Sequence, residues 1–261
     1  MAYLLERDEL LACLSEVGVA AVVGMRKAAL FPGDRKPRVT RGFEHLQARD
    51  LARKDESGKL SLHPELLAMA DTVAHPGLAI ALTRDTPALP TQIVVWHQKA
   101  ARIVEHALLT ATVHRWDAVD TLDTVLGRLL RSMDVREVTG VAPVSVAMGQ
   151  GAFEAFGQLA QQGKAREAEA RIEAAGLVGR PAQRIVQAWT KPLARCAVAI
   201  FKLAGTEITD ARQLVVVQGL EGLWLVTQEP AGSGPLRVET ASLALVDGAM
   251  RKALVELKAL V

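Results

Sequence analysis

Apolar residues recur at helical spacing in several stretches of the chain, and in short dense runs in others. After Asp8, a good N-cap, come Leu10, Leu11, Leu14 and Val17, which predicts a first helix. Residues from Gly24 to Thr40 hold Phe31-Pro32-Gly33 and, with Arg41 just beyond, the basic cluster Arg35, Lys36, Arg38 and Arg41, and read as a loop. A helix is expected over Gly42–Lys54 with Phe43, Leu46 and Leu51 on one side, and Asp55-Glu56-Ser57-Gly58 reads as a turn. His63-Pro64 opens another helix, since proline is tolerated in a first turn where its missing N–H would be unpaired. Pro76-Gly77 ends it.

Four strands are then predicted at Leu78–Thr83, Gln92–Gln98, Arg102–Leu108 and Ala111–Asp117. Their short connections favour an antiparallel meander. A helix over about Val119–Met133 follows, with an apolar stripe of Leu122, Val125, Leu126, Leu129 and Leu130. From Val138 the order restarts. A short strand (Val144–Ala147) and helices at Phe153–Gln161, Ala165–Ala175 and from Pro181 precede strands at Cys196–Leu203, Leu214–Gln218, Leu223–Gln228 and Leu236–Glu239. A last helix, Leu243–Leu260, carries Val246, Ala249, Met250, Ala253 and Leu254 in step with the earlier stripe.

The two halves match in residues as well as in order. Gln92-Ile93-Val94-Val95-Trp96 aligns with Gln213-Leu214-Val215-Val216-Val217, and Ala101-Arg102-Ile103-Val104 with Gly222-Leu223-Trp224-Leu225. The expected fold class is therefore α+β. It is an internally duplicated unit of helices plus a four-stranded antiparallel meander, the repeats being 1–137 and 138–261. Joining the copies edge to edge about a pseudo-twofold axis, as one continuous body, would protect two strand edges.

Composition narrows the function. The 261 residues are long enough to bury a full core, and the formal net charge of +2 is far from that of a protein built to neutralise phosphates. The basic cluster lacks interleaved aromatics and reads as a solvated loop, so no nucleic-acid partner is expected. The N-terminal MAYLLERDELL has no signal-peptide pattern, and Val17–Val23 is too short to span a bilayer. A cytoplasmic protein without a membrane partner is the expectation. Cys13 and Cys196 sit in apolar contexts and read as buried free thiols.

With the hairpin centred on Ala100-Ala101, Val95 opposes His106 and Trp96 opposes Glu105. One face then carries Ile93, Val95, Val104, His106, Leu108 and Val113. The other carries Val94, Trp96, Gln98, Ile103, Glu105, Thr112, His114 and Trp116. Two tryptophans among polar groups are the composition of a partner-binding centre, and also of a face covered by a helix or loop of the same chain. Trp96, Trp116, Ile103 and His114, with Val217 and Trp224 in the second half, are the candidate partner-binding residues.

Catalytic patterns are weak. Gly149-Gln150-Gly151 lacks the third glycine of a dinucleotide fingerprint, Glu154 standing there, and no parallel βαβ order follows. His97, His106 and His114 lie on successive strands, but the pairing above turns His114 to the other face, against a metal site. Glu65 with Asp71, or Asp117, Asp120 and Asp123, are carboxylates without a catalytic setting, the last group sitting where acidic residues favour a helix start. No enzyme activity, cofactor or metal is expected.

The order of elements resembles the EspG-type chaperones of type VII (ESX) secretion systems. In the first half it rests on RGFEHLQARDLARKDESGKLSLHPELLAMADTVAHPG. In the second it rests on VAPVSVAMGQGAFEAFGQLAQQGKAREAEARIEAAGL and on GLWLVTQEPAGSGPLRVETASLALVDGAMRKAL. The joins Thr83–Pro90 and Ala204–Arg212 depart from the family's pattern. The resemblance implies a cytosolic, non-catalytic chaperone that shields a helical secretion substrate, a PE–PPE-like pair or an analogue. Binding in the family uses the central sheet, a strand-connecting loop and the C-terminal helices. Other readings of the residues alone are a homodimeric regulatory or structural protein using the same sheet face, or a small-molecule-binding domain. The oligomeric state is left between monomer and homodimer.

Overall fold

A strand absent from the sequence reading opens the chain. β1 (Ala2–Glu6) runs straight into α1 (Arg7–Glu16), where the Glu9 carboxylate accepts the Glu6 N–H at 2.7 Å. The computed structural model describes residues 2–19, 22–23, 34–54, 58, 60–205, 207–228 and 234–259. Most of the expected Gly24–Thr40 loop, the first three residues of the expected Asp55–Gly58 turn and the last residue of the expected Leu243–Leu260 helix lie outside them.

The described part of the basic cluster is helical, not loop. α2 spans Arg35–Ala48 and is capped by Asp34, whose side chain accepts from the Lys36 N–H. The helix starts earlier than Gly42 because Pro37 fits its first turn and because the arginines have partners across the α1 contact. Arg38 and Arg41 both reach the Asp8 carboxylate, at 2.6 and 3.1 Å. The two helices approach so closely that a Cβ on Gly42 would stand 2.0 Å from the Asp8 carbonyl oxygen. A short hairpin, β2 (Ala52–Lys54) with β3 (Leu60–Leu62), replaces the expected end of that helix. α3 (Pro64–Ala74) begins at its proline as expected.

The remaining order is β4 (Leu78–Thr86), β5 (Leu89–Lys99), β6 (Arg102–Leu108), β7 (Val113–Val119), α4 (Leu122–Met133), β8 (Ser145–Met148), α5 (Gln150–Gln161), α6 (Ala165–Ala174), α7 (Arg180–Thr190), β9 (Ala194–Ala204), β10 (Glu207–Gly219), β11 (Gly222–Gln228), β12 (Leu236–Thr240) and α8 (Leu243–Ala259). With eight helices among the described residues and antiparallel strand pairing, the fold class is α+β. The joins at Thr83–Pro90 and Ala204–Arg212 are mostly strand, so β4–β5 and β9–β10 are long hairpins.

The chain divides into two units. The first comprises Met1–Ala81, Gln92–Val125 and Phe201–Asp210; the second comprises Leu82–Thr91, Leu126–Ile200 and Ala211–Val261. In the first, strands run in the order β1-β7-β6-β5-β4, and Tyr3, Leu5, Val104 and Trp116 pack with Leu10, Leu14, Leu66, Met69 and Val73 of α1 and α3. In the second, the order is β8-β12-β11-β10-β9, and Val146, Val217, Trp224, Val226 and Val238 pack on Phe156, Ile172, Ile185 and Trp189 of α5, α6 and α7.

Candidate partner-binding surface

The β5–β6 pairing is the expected one, with Val95 opposite His106 and Trp96 opposite Glu105. The β6–β7 pairing is not. Leu108 opposes His114, His106 opposes Trp116, and Glu105 opposes Asp117. The Thr110 hydroxyl accepts the N–H groups of Thr112 and Val113, and the Leu109 N–H bonds the Val113 carbonyl, leaving an odd number, three residues, between that bonded pair. A one-residue change in register moves every side chain of a strand to the opposite face. Trp116 and His114 therefore share a face with His106 and His97, while Trp96 and Ile103 lie on the other. The mixed face with two tryptophans does not exist.

All six candidate residues are inside the chain. Trp96, Trp116, Ile103, His114, Val217 and Trp224 are each at most 4% exposed. Trp96 donates its indole N–H to Glu105 Oε2 at 3.1 Å, and Glu105 Oε1 accepts from Arg115 at 2.6 Å, so this buried carboxylate is satisfied twice. Trp116 and His114 belong to the face that packs on α1 and α3. Trp224 and Val217 oppose each other on the helix-covered face of the second unit. In this arrangement these residues are core, and the surface-composition argument does not apply to them.

The alignment of the halves by identity is also one residue out of step. The two-residue turns fix the hairpins independently: Lys99 pairs with Arg102, and Gly219 with Gly222. Counting from the turns, Trp96 corresponds to Val216 and not Val217, and Trp224 corresponds to Val104 and not Ile103. His97 and His106 correspond to Val217 and Val226. His114, opposite Leu108, corresponds to Leu236, opposite Gln228.

The three histidines are brought together, against the expectation that His114 faces away. His106 Nε2 lies 3.0 Å from His114 Nδ1, and the ring centres are 6.0 Å apart for His97–His106 and 5.1 Å for His106–His114. Burial holds His97 down to about 3 and His114 to about 4, the latter helped by the Arg7 charge, and holds His106 well below its ordinary value. Among the described residues no group of three or more His, Cys, Asp or Glu is arranged to hold a metal ion. Cys13 and Cys196 are buried free thiols, as expected. Burial raises both, Cys196 to about 12, so neither is a thiolate nucleophile.

The other expected chemistry is structural. Gly149 leads from β8 into α5, but β8 pairs antiparallel with β12, so no dinucleotide-binding unit forms. Asp71 accepts from Lys99 at 2.6 Å and sits 3.0 Å from His75; the Lys99 hydrogen bond is the main cause that lowers its pKa. Glu65 accepts the Tyr3 hydroxyl at 3.3 Å.

A concave surface does exist in the second unit, beside the C-terminal helix. An open groove of ≈ 370 Å³ runs between α8 and the outer face of β10–β12, and its lining includes Leu225, Arg237, Glu239, Leu245 and Lys252. Ala244, Gly248 and Lys252 recur every fourth residue on α8, and Leu245, half-exposed, and Ala249 sit beside them. The small side chains of Ala244, Gly248 and Ala249 leave the groove unfilled, and their spacing was the signal available in the sequence. Glu256 carries charge at one end, 3.5 Å from Arg212 and 3.9 Å from Lys252.

A solved structure shares this architecture over nearly its whole length. It is that of the Mycobacterium tuberculosis type VII secretion system chaperone EspG5 in complex with the PE25-PPE41 dimer; the TM-score is 0.74, covering 97% of this chain and 96% of that one at 13% identity. The chain has the EspG5 fold. No protein-family model and no curated protein sequence matches it. What is common to the chain and EspG5 is thus the arrangement of elements, with few residues retained. Among the described residues no helix is long and apolar enough to cross a membrane.

Proposed function

We propose that the protein is a distant EspG-type chaperone: a cytoplasmic, non-catalytic carrier that holds a helical protein destined for type VII secretion. The observation that carries this reading is the EspG5 fold over 97% of the chain. EspG5 was solved holding a PE25-PPE41 dimer, and a PE–PPE-like helical pair is the client class we assign to this chain. In this reading the repeats 1–137 and 138–261 descend from one duplicated element. Their strand orders agree strand for strand.

The α8 groove is the client seat we assign. Its apolar floor at Leu225, Leu245 and Ala249 suits the apolar ridge of a helix, and its rim of Arg237, Glu239 and Lys252 suits polar flanks. Tagged protein purified from its native host should bring down, in stoichiometric amount, a helical secreted protein identified by mass spectrometry. Arg237→Glu combined with Lys252→Glu should lose that protein and leave the thermal midpoint unchanged. A chain that elutes alone, or a double variant that retains the client, defeats the reading or the seat respectively.

A further inference from the structure

Three imidazoles packed against one another inside a protein are costly where their ring nitrogens lack hydrogen-bond partners. His97, His106 and His114 are each at most 1% exposed, on the sheet face covered by α1 and α3. Trp116 stands edge-on to His106 at 5.8 Å. Among the described residues, both ring nitrogens of His97, Nδ1 of His106, Nε2 of His114 and Nε1 of Trp116 find no hydrogen-bond partner. At 3.0 Å, one ring of the His106–His114 pair donates to the bare nitrogen of the other, so both cannot be cations.

The charges around the cluster are committed elsewhere. On α1, Asp8 is held by Arg38 and Arg41, Glu9 lies 2.8 Å from Arg49, and the Arg7 charge opposes protonation of His114. The buried thiol of Cys13 is neutral. On α3, Glu65 accepts from Tyr3 of β1, and Asp71 accepts from Lys99 of β5. On β6 and β7, Glu105, Arg115 and Asp117 lie on the opposite face. A proton arriving on the cluster therefore meets no carboxylate available to accept it as an ion pair.

We infer that the His97–His106–His114 cluster is an acid-operated latch, closed while all three rings are neutral and opened, by separation of α1 and α3 from the sheet of the first unit, when they take up protons. An imidazole released to water binds a proton near pH 6.5, whereas in the closed unit His97 does so only near 3 and His114 near 4. The open form thus holds more protons throughout the interval from 6.5 down to the closed-state values. Stability is full above 6.5 and falls as pH drops through that interval. With three protons taken up, the closed-to-open ratio falls by up to roughly a thousandfold per pH unit. The second unit has Val217, Val226 and Leu236 at the corresponding positions and carries no such latch. The inference stands whatever the client is.

The test exchanges one core for the other: His97→Val with His106→Val and His114→Leu. Hydrogen exchange of the whole chain is measured at pH 7.5 and pH 5.0, with the urea midpoint. In the natural protein, exchange in α1, α3 and β5–β7 should rise steeply at pH 5.0 while α5–α7 and β10–β12 change little. The exchanged core should remove that rise. Equal rises in both proteins, a rise shared equally by both units, or an NMR titration of any of the three histidines near 6.5 in the folded chain overturns the proposal. If the triple variant fails to fold, His97→Val alone should lower the pH slope of the unfolding constant by about one proton of three; an unchanged slope overturns it.

Discussion

The two units share a strand order but not an interior. The first fills its sheet–helix interface with His97, His106, His114 and Trp116 among aliphatic residues. The second fills the same positions with Val217, Val226, Leu236 and Val238, and closes them with an aromatic group of Phe153, Phe156 and Trp189 whose ring centres are 5.6 to 6.0 Å apart. One architecture therefore tolerates either chemistry, because strand register and helix placement are set by volume and turn geometry. What differs is sensitivity: the imidazole interior answers to protons and the aliphatic one does not.

The largest effect should come from the points where each unit closes on a glycine. In the first, Gly42→Ala puts a methyl 2.0 Å from the Asp8 carbonyl oxygen, a backbone atom that moves only with α1. In the second, Gly219→Ala meets the Ala188 Cβ at 2.7 Å on α7. We expect Gly42→Ala to cost more than about 3 kcal/mol and Gly219→Ala about 1–3 kcal/mol in urea unfolding. Equal costs would mean that the α1–α2 crossing yields as easily as the contact between Gly219 and α7.

Next come the tryptophans. Trp96→Ser and Trp224→Ser should each destabilise by about 3–5 kcal/mol, the range for emptying a buried aromatic site. Trp96→Ser has the further effect of removing a donor from buried Glu105, which adds the cost of a less satisfied buried acceptor. Thermal melts that barely move would return these residues to the surface role their sequence context suggested.

That context was partly legible. Pro64 located the start of α3, and the run Arg102–Leu108 located β6 residue for residue. β1 was missed because five residues running directly into a helix carry no turn signal. α2 was placed late because its first turns hold arginines and a proline instead of an apolar stripe, and its support, Asp8, lies far away in sequence. The candidate site failed on a single parity. Thr110 organises the three residues between the bonded Leu109 and Val113, and that odd count turns Trp116 and His114 away from Trp96. Sequence periodicity shows alternation along a strand, but the face a neighbouring strand presents is decided by hydroxyl and backbone bonds inside the turn. The α8 groove was hidden for another reason, since it is defined by small side chains that an apolar-stripe reading counts as core.

A smaller effect separates the two hairpin turns. Ala100, the first residue of the β5–β6 turn, has φ of 52°, a left-handed conformation that costs a non-glycine residue about 1 kcal/mol. Leu220 and Glu221 make the corresponding β10–β11 turn, and neither has a positive φ among the described residues. Ala100→Gly should therefore raise stability by up to about 1 kcal/mol, while Leu220→Gly should lower it, as measured by urea midpoints.

The smallest effect is a titration of opposite sign to the histidines. Asp71 holds Lys99 with both side chains about 42% exposed, so the pair is worth at most about 1 kcal/mol. Its carboxyl is lowered chiefly by the Lys99 hydrogen bond, so its contribution is complete above the ordinary carboxylate range and disappears as pH falls through the depressed value. Asp71→Asn should cost a few tenths to about 1 kcal/mol at pH 7, the same at pH 5.5, and nothing in strong acid. Between pH 7 and 5.5 the natural protein and Asp71→Asn should thus weaken in parallel, with the whole slope belonging to the histidines. A slope that flattens in Asp71→Asn would shift the acid sensitivity of the first unit from its interior to its surface.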